Sequence, residues 1–391
     1  MVATPGPSII PDRVLAAMAK PMTDLYGGEL VSASYAVLDK LPSLVRSSNA
    51  VPFIVVGNGH SAWQMSIANT MSEGDKVLVL ESGRFAIGWG EMAAQAGVDV
   101  EVLKGSDRHA VDPEAVAQRL AEPSAKDIKA ILVVQTDTAS SAGNDLAAIR
   151  AAIDDAGHEA LFMVDCIASL GCERFEMDAW KVDLVVGAGQ KGLMIPPGVA
   201  FVWAGPRAID TFHQTKVGSG YYDWTNRMDP QVHYQIYAGT PPIPHIHAMT
   251  EAFKLIDEEG GLEAMWHRHQ VLADAVRAAI DAWSTPGGIQ HNIIERAHRS
   301  NAVTTVLTGS GDPQKLAAVC QTEAGLTLGL GIGGFEKSAF RIGHMGHLNP
   351  PMILGTLGTI EAALLALGPP IGASGAAAAA NVIANALTPP S

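Results

Sequence analysis

The sequence predicts an α/β fold: a large domain with a mostly parallel central sheet flanked by helices, then a smaller α+β C-terminal domain. Three observations carry this reading. Between residues 50 and 205, short β-branched runs alternate with longer segments of helical period, the rhythm of parallel strands joined by helices. Runs such as VPFIVV and AILVVQ are apolar rather than alternating, as strands covered on both faces are. After Gly260-Gly261 the order changes to helices first and strands second, which marks a separate unit.

Taken in order, VPFIVV (51–56) is a buried strand that stops at Gly57-Asn58-Gly59, and a helix is expected from His60 to Met71. KVLVLE (76–81) and VDVEVL (98–103) are the next strands, with a helical pattern from Ala86 to Ala96 between them. AILVVQ (130–135) follows, and the helix after it carries LAAIRAAI (146–153). LFMVD (161–165) and DLVVGA (183–188) complete the series. The stretch from Gly205 to Pro244, rich in Gly, Tyr, Asp and Pro, reads as irregular, and helical periodicity resumes over His247–Glu258. In the second unit, helices over 262–283 precede the strand AVTTVLT (302–308), a helix (313–323) and FRIGH (340–344). The division expected is an N-terminal arm (1–14), a large domain (15–259), a small domain (260–370) and an Ala-rich tail (371–391) without evident chemistry.

Composition removes several function classes. With 48% hydrophobic and 17% charged residues, a chain of 391 has the apolar surface for two or three packed domains. Lys plus Arg number 26 against 40 Asp plus Glu, a net charge of −14 with no basic run, which argues against a nucleic-acid partner. A small anionic substrate stays open, because a few local cations outweigh the global charge. Cys166, Cys172 and Cys320 are odd in number and lack metal-ligand spacing, so buried thiols in a reducing cytoplasm are expected. Prolines interrupt the start, MVATPGPSIIPDRV, where a signal peptide would be apolar. No membrane span is read, since apolar stretches carry Gly or charge.

In such sheets ligands sit beyond the carboxyl ends of the strands. Gly59-His60, Ser82-Gly83, Thr136-Asp137-Thr138, Asp165 and Gly189-Gln190-Lys191 all fall at strand ends, where one crevice would gather them. Lys191 is flanked by Gly and followed by apolar LMIPPG, surroundings that desolvate an amine and free it to attack a carbonyl. A lone GxK is more often a surface loop. Asp165 reverses the odds, because FMVD is too apolar to hold a carboxylate without a cationic partner. A Schiff-base Lys with an Asp to hold a pyridinium nitrogen is the pairing pyridoxal 5′-phosphate needs. Gly57-Asn58-Gly59-His60-Ser61, between strand and helix, offers a phosphate seat, with a tight packing turn as the plainer reading. Phe85 could lie flat on a cofactor ring, although an unplaced Phe is more often core. Gly329 to Gly334 imitates a dinucleotide fingerprint but precedes no convincing helix, so it reads as a loop between strands. His245-x-His247 and His267-x-His269 diverge on helices and read as packed or solvated histidines, not metal ligands.

These residues carry a resemblance. The chain resembles the class V, fold-type-I pyridoxal-phosphate aminotransferases, within them the alanine/serine–glyoxylate group. The matching segments are TPGPSIIPDRV, VGNGHSAW, FMVDCIASLGCERFEMDAWKVDLVVGAGQKGLMIPPGVAFV, YAGTPP and FRIGHMG, in family order from residue 4 to 346. The resemblance implies that Lys191 forms the Schiff base and later moves the Cα proton, while Asp165 keeps the ring nitrogen protonated. It implies that Gly59, His60 and Gln190 hold the phosphate, joined by Tyr237 and Thr240 of a neighbouring subunit in a homodimer with shared active sites. Phe85 would stack on the ring, Thr138 would lie near it, Arg341 would grip the substrate α-carboxylate bidentately, and Gly6 would lie over the substrate. An Arg fork suits that grip better than a Lys.

The chain also departs from the family. Gln135-Thr136-Asp137-Thr138 replaces a His-Asn-Glu-Thr type run, Ser141 stands where Gly is usual, Ile9 replaces Asn, and Thr23 to Gly28 replaces a His-Arg pair. The cofactor positions are kept and the substrate-facing ones differ. The resemblance therefore implies transamination from a small amino acid (alanine, serine or, with Arg84 as a second anion site, aspartate) to a small 2-oxo acid. Glyoxylate is the first acceptor and pyruvate the second. Pyridoxamine–pyruvate transamination and a cysteine desulfurase-like lyase are alternatives on the same scaffold. A non-enzymatic nucleotide-binding α/β protein is the rival of a different class.

Overall fold

The computed structural model describes residues 1–216 and 218–387, so the last four residues of the Ala-rich tail lie outside the described residues. The strands of the first part are β1 (Val2–Ala3), β2 (Val51–Gly57), β3 (Lys76–Leu80), β4 (Asp99–Leu103), β5 (Ile128–Val134), β6 (Thr136–Asp137), β7 (Ala142–Gly143), β8 (Leu161–Asp165), β9 (Leu184–Ala188) and β10 (Gly198–Ala204). Those of the second are β11 (Gln290–His291), β12 (Val303–Leu307), β13 (Thr327–Leu330) and β14 (Ala339–Gly343).

Seven strands form one sheet in the order β2-β10-β9-β8-β5-β3-β4. β9, β8, β5, β3 and β4 are parallel neighbours, and β10 is antiparallel to both β2 and β9. β2 therefore runs parallel to β9, and the carboxyl ends of β2, β3, β5, β8 and β9 share one edge of the sheet. Successive side chains of a strand face opposite sides. Ile131 and Val133 pack under the helices Gly28–Leu44 and Leu146–Asp155, while Leu132 and Val134 pack under Gly59–Thr70 and Arg84–Gln95. Both faces are covered, which is why the interior strands are apolar along most of their length.

The second sheet, β1-β13-β14-β12-β11, lies against the helices Gly261–Trp283, Pro313–Ala324, Pro350–Leu367 and Gly375–Leu387 around Val276, Ile280, Phe340, Ile342 and Leu357. β1 takes the first residues of the chain, read as an arm, along the edge of this sheet, parallel to β13. The Ala-rich tail forms the helix Gly375–Leu387, with Ala379 and Ile383 buried in the same core.

Some expectations are corrected. VAFVWA, unassigned by periodicity, is the antiparallel strand β10, because a chain leaving β9 through Pro196-Pro197 can return directly beside it. The stretch from Gly205 to Pro244 contains the helix Pro206–Phe212, whose first residue is the proline favoured there. Gly329 and Leu330 end β13 and the loop to β14 begins after them, with no helix that could seat a dinucleotide. The helix Pro350–Leu367 is, contrary to expectation, long and apolar enough by composition to cross a bilayer. Its Ile353, Leu357, Ile360 and Leu364 are turned into the small-domain core, and Glu361 accepts from Trp283 Nε1 at 2.9 Å.

The arm stays on the sheet because Gly343 lets it. A Cβ at that position would sit 2.2 Å from Thr4 O. Gly343→Ala is expected to weaken the docking by about 2 kcal/mol, as overpacking does, and so to speed local opening about 30-fold. Hydrogen exchange should show this at the amides of Ser8 and Thr327, which donate to Gln190 O and Met1 O. Val164 in the central sheet should be unaffected, and unchanged exchange at Ser8 would contradict the argument.

Candidate active site

Asp165 closes β8 and is 2% exposed. The Ile167 N–H donates to Oδ1 at 2.6 Å and Trp63 Nε1 to Oδ2 at 2.7 Å. Burial pushes this carboxyl up to about 7, against the pull of those two donors and of Lys191, with buried Asp137 adding repulsion. Lys191 lies in the turn after β9, next to β8. Burial lowers its amine to about 8; Arg341 lowers it further and Asp165 opposes. Each group is thus drawn toward its neutral form by desolvation, and each partly restores the other's charge.

The N-terminal segment roofs this amine. Lys191 Nζ donates to Pro5 O, and a Cβ on Gly6 would stand 2.4 Å from Nζ. With φ at +110°, position 6 requires glycine on two counts. Ser8 ties the segment down, its N–H donating to Gln190 O at 2.9 Å and its Oγ to Lys191 O at 2.6 Å. His269, read as a packed histidine, accepts the Gly346 N–H at 2.9 Å, and Gly346 lies directly beneath Ser8. Gln190 Oε1 is buried with no partner among the described residues.

At the end of β2, Asn58 caps the next helix, its Oδ1 accepting the His60 N–H at 3.1 Å and its carbonyl the Ser61 N–H at 2.9 Å. The turn is therefore less open than a bare helix start. Among the described residues, the Gly59 amide and the exposed His60 ring are what it leaves for a ligand. Gly59 is glycine for packing, since a Cβ would lie 2.5 Å from Ile167 Cδ1. Burial and then Arg84 lower the His60 ring's basicity. Phe85 is half-buried at the start of its helix, edge-on to Trp63 at 6.4 Å.

Asp137 fixes that start. Its carboxylate accepts the N–H groups of Phe85, Ala86 and Ala139 at 2.8–3.0 Å, and it is fully buried, which raises its carboxyl. The next four carbonyls are all taken by the small domain. Arg341 Nη1 donates to Thr138 O, Thr305 Oγ1 to Ala139 O, Asn292 Nδ2 to Ser140 O and the Ser300 N–H to Ser141 O, at 2.9–3.3 Å. Ser141 is left-handed at φ +64°, a conformation that glycine adopts without strain; its hydroxyl accepts the Thr305 N–H at 3.0 Å in partial return.

Several expectations change in detail. Arg341 has its Nε on Leu330 O at 2.7 Å and one Nη1 proton on Thr138 O, so its Nε side is taken, while Nη2 and the second Nη1 proton have no partner among the described residues. Burial lowers it to about 10. Arg84 pairs with Glu91 at 2.9 Å on the surface, so the second anion site read beside Phe85 is shared with an exposed carboxylate. Tyr237, expected to reach a partner's phosphate, is 1% exposed and turned into its own subunit, where its hydroxyl donates to Ser34 at 2.9 Å. A buried phenol needs such an acceptor. Thr240 is exposed three residues on. Trp63 escaped sequence reading because an i+4 aromatic on a core helix looks like packing.

The family Aminotransferase class-V matches residues 3–333. The serine–glyoxylate aminotransferase of Methylorubrum extorquens is 32% identical over 97% of this chain and 94% of its own. Ureidoglycine–glyoxylate aminotransferase from Bacillus subtilis has a TM-score of 0.89 at 25% identity, covering 98% of both chains. Pyridoxamine–pyruvate aminotransferase from Mesorhizobium loti has a TM-score of 0.89 at 26% identity, covering 99% of this chain and 97% of that one.

A lysine lowered to about 8 is neutral above that pH and charged below it. Acylation of Lys191 by a small anhydride, followed residue by residue, should therefore climb through pH 8 and level off above it. An ordinary lysine midpoint would show that the roof does not desolvate it.

Proposed function

The chain belongs to the class-V aminotransferases, and on that premise we propose that it moves an amino group from a small amino acid to a small 2-oxo acid. Glyoxylate is the first acceptor and pyruvate the second, with pyridoxal 5′-phosphate held at Lys191. The observation that carries the reading is the enclosed, weakly basic amine of Lys191, in the turn after β9, the strand paired with the one that buried Asp165 closes. The residues present fit the cofactor. Gly6 leaves the space above Nζ open by having no side chain, and Asp165 keeps lone pairs beyond its two donors.

When bound, the cofactor supplies an aldehyde carbon for the amino group and a ring that accepts electrons. The chain's residues do the rest. Asp165 holds a proton at the ring nitrogen, Phe85 and Ile167 offer apolar surface to the ring, and Gly59, His60 and Gln190 hold the phosphate. Arg341 orients the substrate carboxylate with its Nη1–Nη2 end. Lys191 Nζ, its basicity lowered to about 8, would take the proton from the donor's Cα and pass it to the cofactor's aldehyde carbon, and would run the same transfer in reverse for the oxo acid. With Arg84 engaged by Glu91, donors with one carboxylate, alanine or serine, are favoured over aspartate. Pyridoxamine–pyruvate transamination is the second reading, favoured by the equal fold likeness to such an enzyme. A desulfurase is disfavoured, since all three cysteines are buried.

A homodimer belongs to this reading. Tyr26 is 72% exposed, Met22 66%, and Tyr35, Tyr221, Val232 and Tyr234 each 41%. They are joined through His233 on Leu25 O, Tyr237 on Ser34 and Tyr221 on Val56 O, next to the Gly57–His60 turn. So much exposed aromatic surface beside a site is what a partner covers, and exposed Thr240 could then reach the other subunit's site. The reduced cysteines fit a cytoplasmic enzyme.

Borohydride reduction should fix the cofactor to the peptide carrying Lys191, and titration with alanine or serine should bleach its visible band. A label elsewhere, or bleaching by pyridoxamine alone, would overturn the main reading. Arg341→Lys should raise KM for the donor about tenfold while the cofactor stays bound, the loss of a charge-assisted hydrogen bond. Sedimentation should show a dimer that Tyr234→Asp weakens, whereas an active monomer would contradict the shared site.

A further inference from the structure

Trp63 stands one turn into the Gly59–Thr70 helix and is 2% exposed. Its ring is held in place on three sides. Trp89 stacks on it at 6.2 Å with 13° between planes, His60 lies against it at 4.7 Å, and Phe85 meets it edge-on. The nitrogen of this fixed ring points at Asp165 Oδ2, 2.7 Å away. Resting on the reading that Asp165 faces the cofactor's ring nitrogen, we propose that Trp63 is the positioning residue of Asp165. Its N–H fixes the plane of the carboxylate and keeps it ionised, so that the proton stays on the ring.

The geometry is selective, because this core does not need its indoles paired. Trp89, Trp224 and Trp266 bury their nitrogens with no partner among the described residues. The Trp63 bond is therefore more than an accommodation of a buried N–H. An indole N–H also donates without accepting. A histidine or hydroxyl in its place could trade protons with Asp165, whereas Trp63 can only favour the anion. With the Ile167 N–H on the other oxygen, the carboxylate is held from two directions and cannot rotate. Burial works the opposite way, pushing Asp165 toward the neutral acid. Loss of one charge-assisted bond should shift the ratio of ionised to protonated Asp165 about tenfold, roughly one pH unit.

The test loads the enzyme with pyridoxal phosphate labelled with ¹⁵N in the ring and compares Trp63→Phe with Trp89→Phe. The first removes the donor and keeps a ring; the second disturbs the same stack without touching Asp165. In Trp63→Phe the ¹⁵N resonance should move toward unprotonated pyridine, and the acidic limb of kcat should move up by about one pH unit, with KM for the donor unchanged. Trp89→Phe should leave all three as in the parent. Parental values in Trp63→Phe, or equal shifts in both variants, would overturn the proposal. A second measurement needs neither Trp63→Phe nor cofactor: in the unsubstituted chain the ¹⁵N-indole resonance of Trp63 should titrate with Asp165, and Asp165→Asn should abolish that titration. A resonance flat across the range would overturn the proposal even where Trp63→Phe fails to fold. If the parent holds no cofactor, the functional reading fails by itself and the indole titration alone decides the role of Trp63.

Discussion

Asp137 is fully buried, and its carboxylate survives there only because peptide N–H groups from two segments converge on it. On that one cluster the arrangement of the site depends. It pins the start of the Arg84–Gln95 helix, and so sets where Phe85 and the Trp63 stack can lie. It also shapes the loop 138–141, whose four carbonyls turn outward to the small domain. Arg341 is one of the four donors. The guanidinium that would bind substrate is therefore part of the joint between the domains, and its direction is set by the same loop that faces the site.

How much of this was legible follows from what each kind of signal reports. Parallel strands buried on both faces announce themselves by unbroken apolar runs, so β2, β3, β5, β8 and β9 and the strand-end positions of Asp165 and Lys191 could be read directly. β10 could not, because a strand returning beside its predecessor through a proline turn interrupts the strand–helix alternation being sought. β13 was hidden by its glycines: Gly329 lies against Pro5 and Arg341, a close approach that reads in sequence as a loop. The direction of a side chain is least legible of all. Tyr237 sits in a segment that looks made to reach outward, yet its hydroxyl finds Ser34 inside. Arg341 was found, but its committed Nε edge depends on Leu330 O, a backbone atom with no sequence signature. Ser141 is the converse case, an oddity in sequence that becomes intelligible once its left-handed backbone is seen.

The roof over Lys191 shows a constraint of shape rather than charge. Gly6 lacks a side chain where the N-terminal segment crosses Lys191 Nζ, and Gly343 and Gly346 lack theirs where Thr4 O and Ser8 of that segment pass over them. Glycines from two distant parts of the chain thus define one path, which crosses from the small-domain sheet to the strand ends of the large sheet. The crossing adds to the burial that lowers the basicity of this amine.

The partners given to the two titrating groups share a chemical property. Asp165 is served by an indole N–H and a peptide N–H, which donate and do not accept. Lys191 is served by the Pro5 carbonyl, which accepts and does not donate. None of these three titrates near neutral pH, so none can take up or release the proton that the chemistry moves. Desolvation brings the amine to about 8 and the carboxyl to about 7, within reach of each other and of neutral pH. A site built from inert donors and acceptors around two such groups confines proton exchange to those two and to whatever is bound between them.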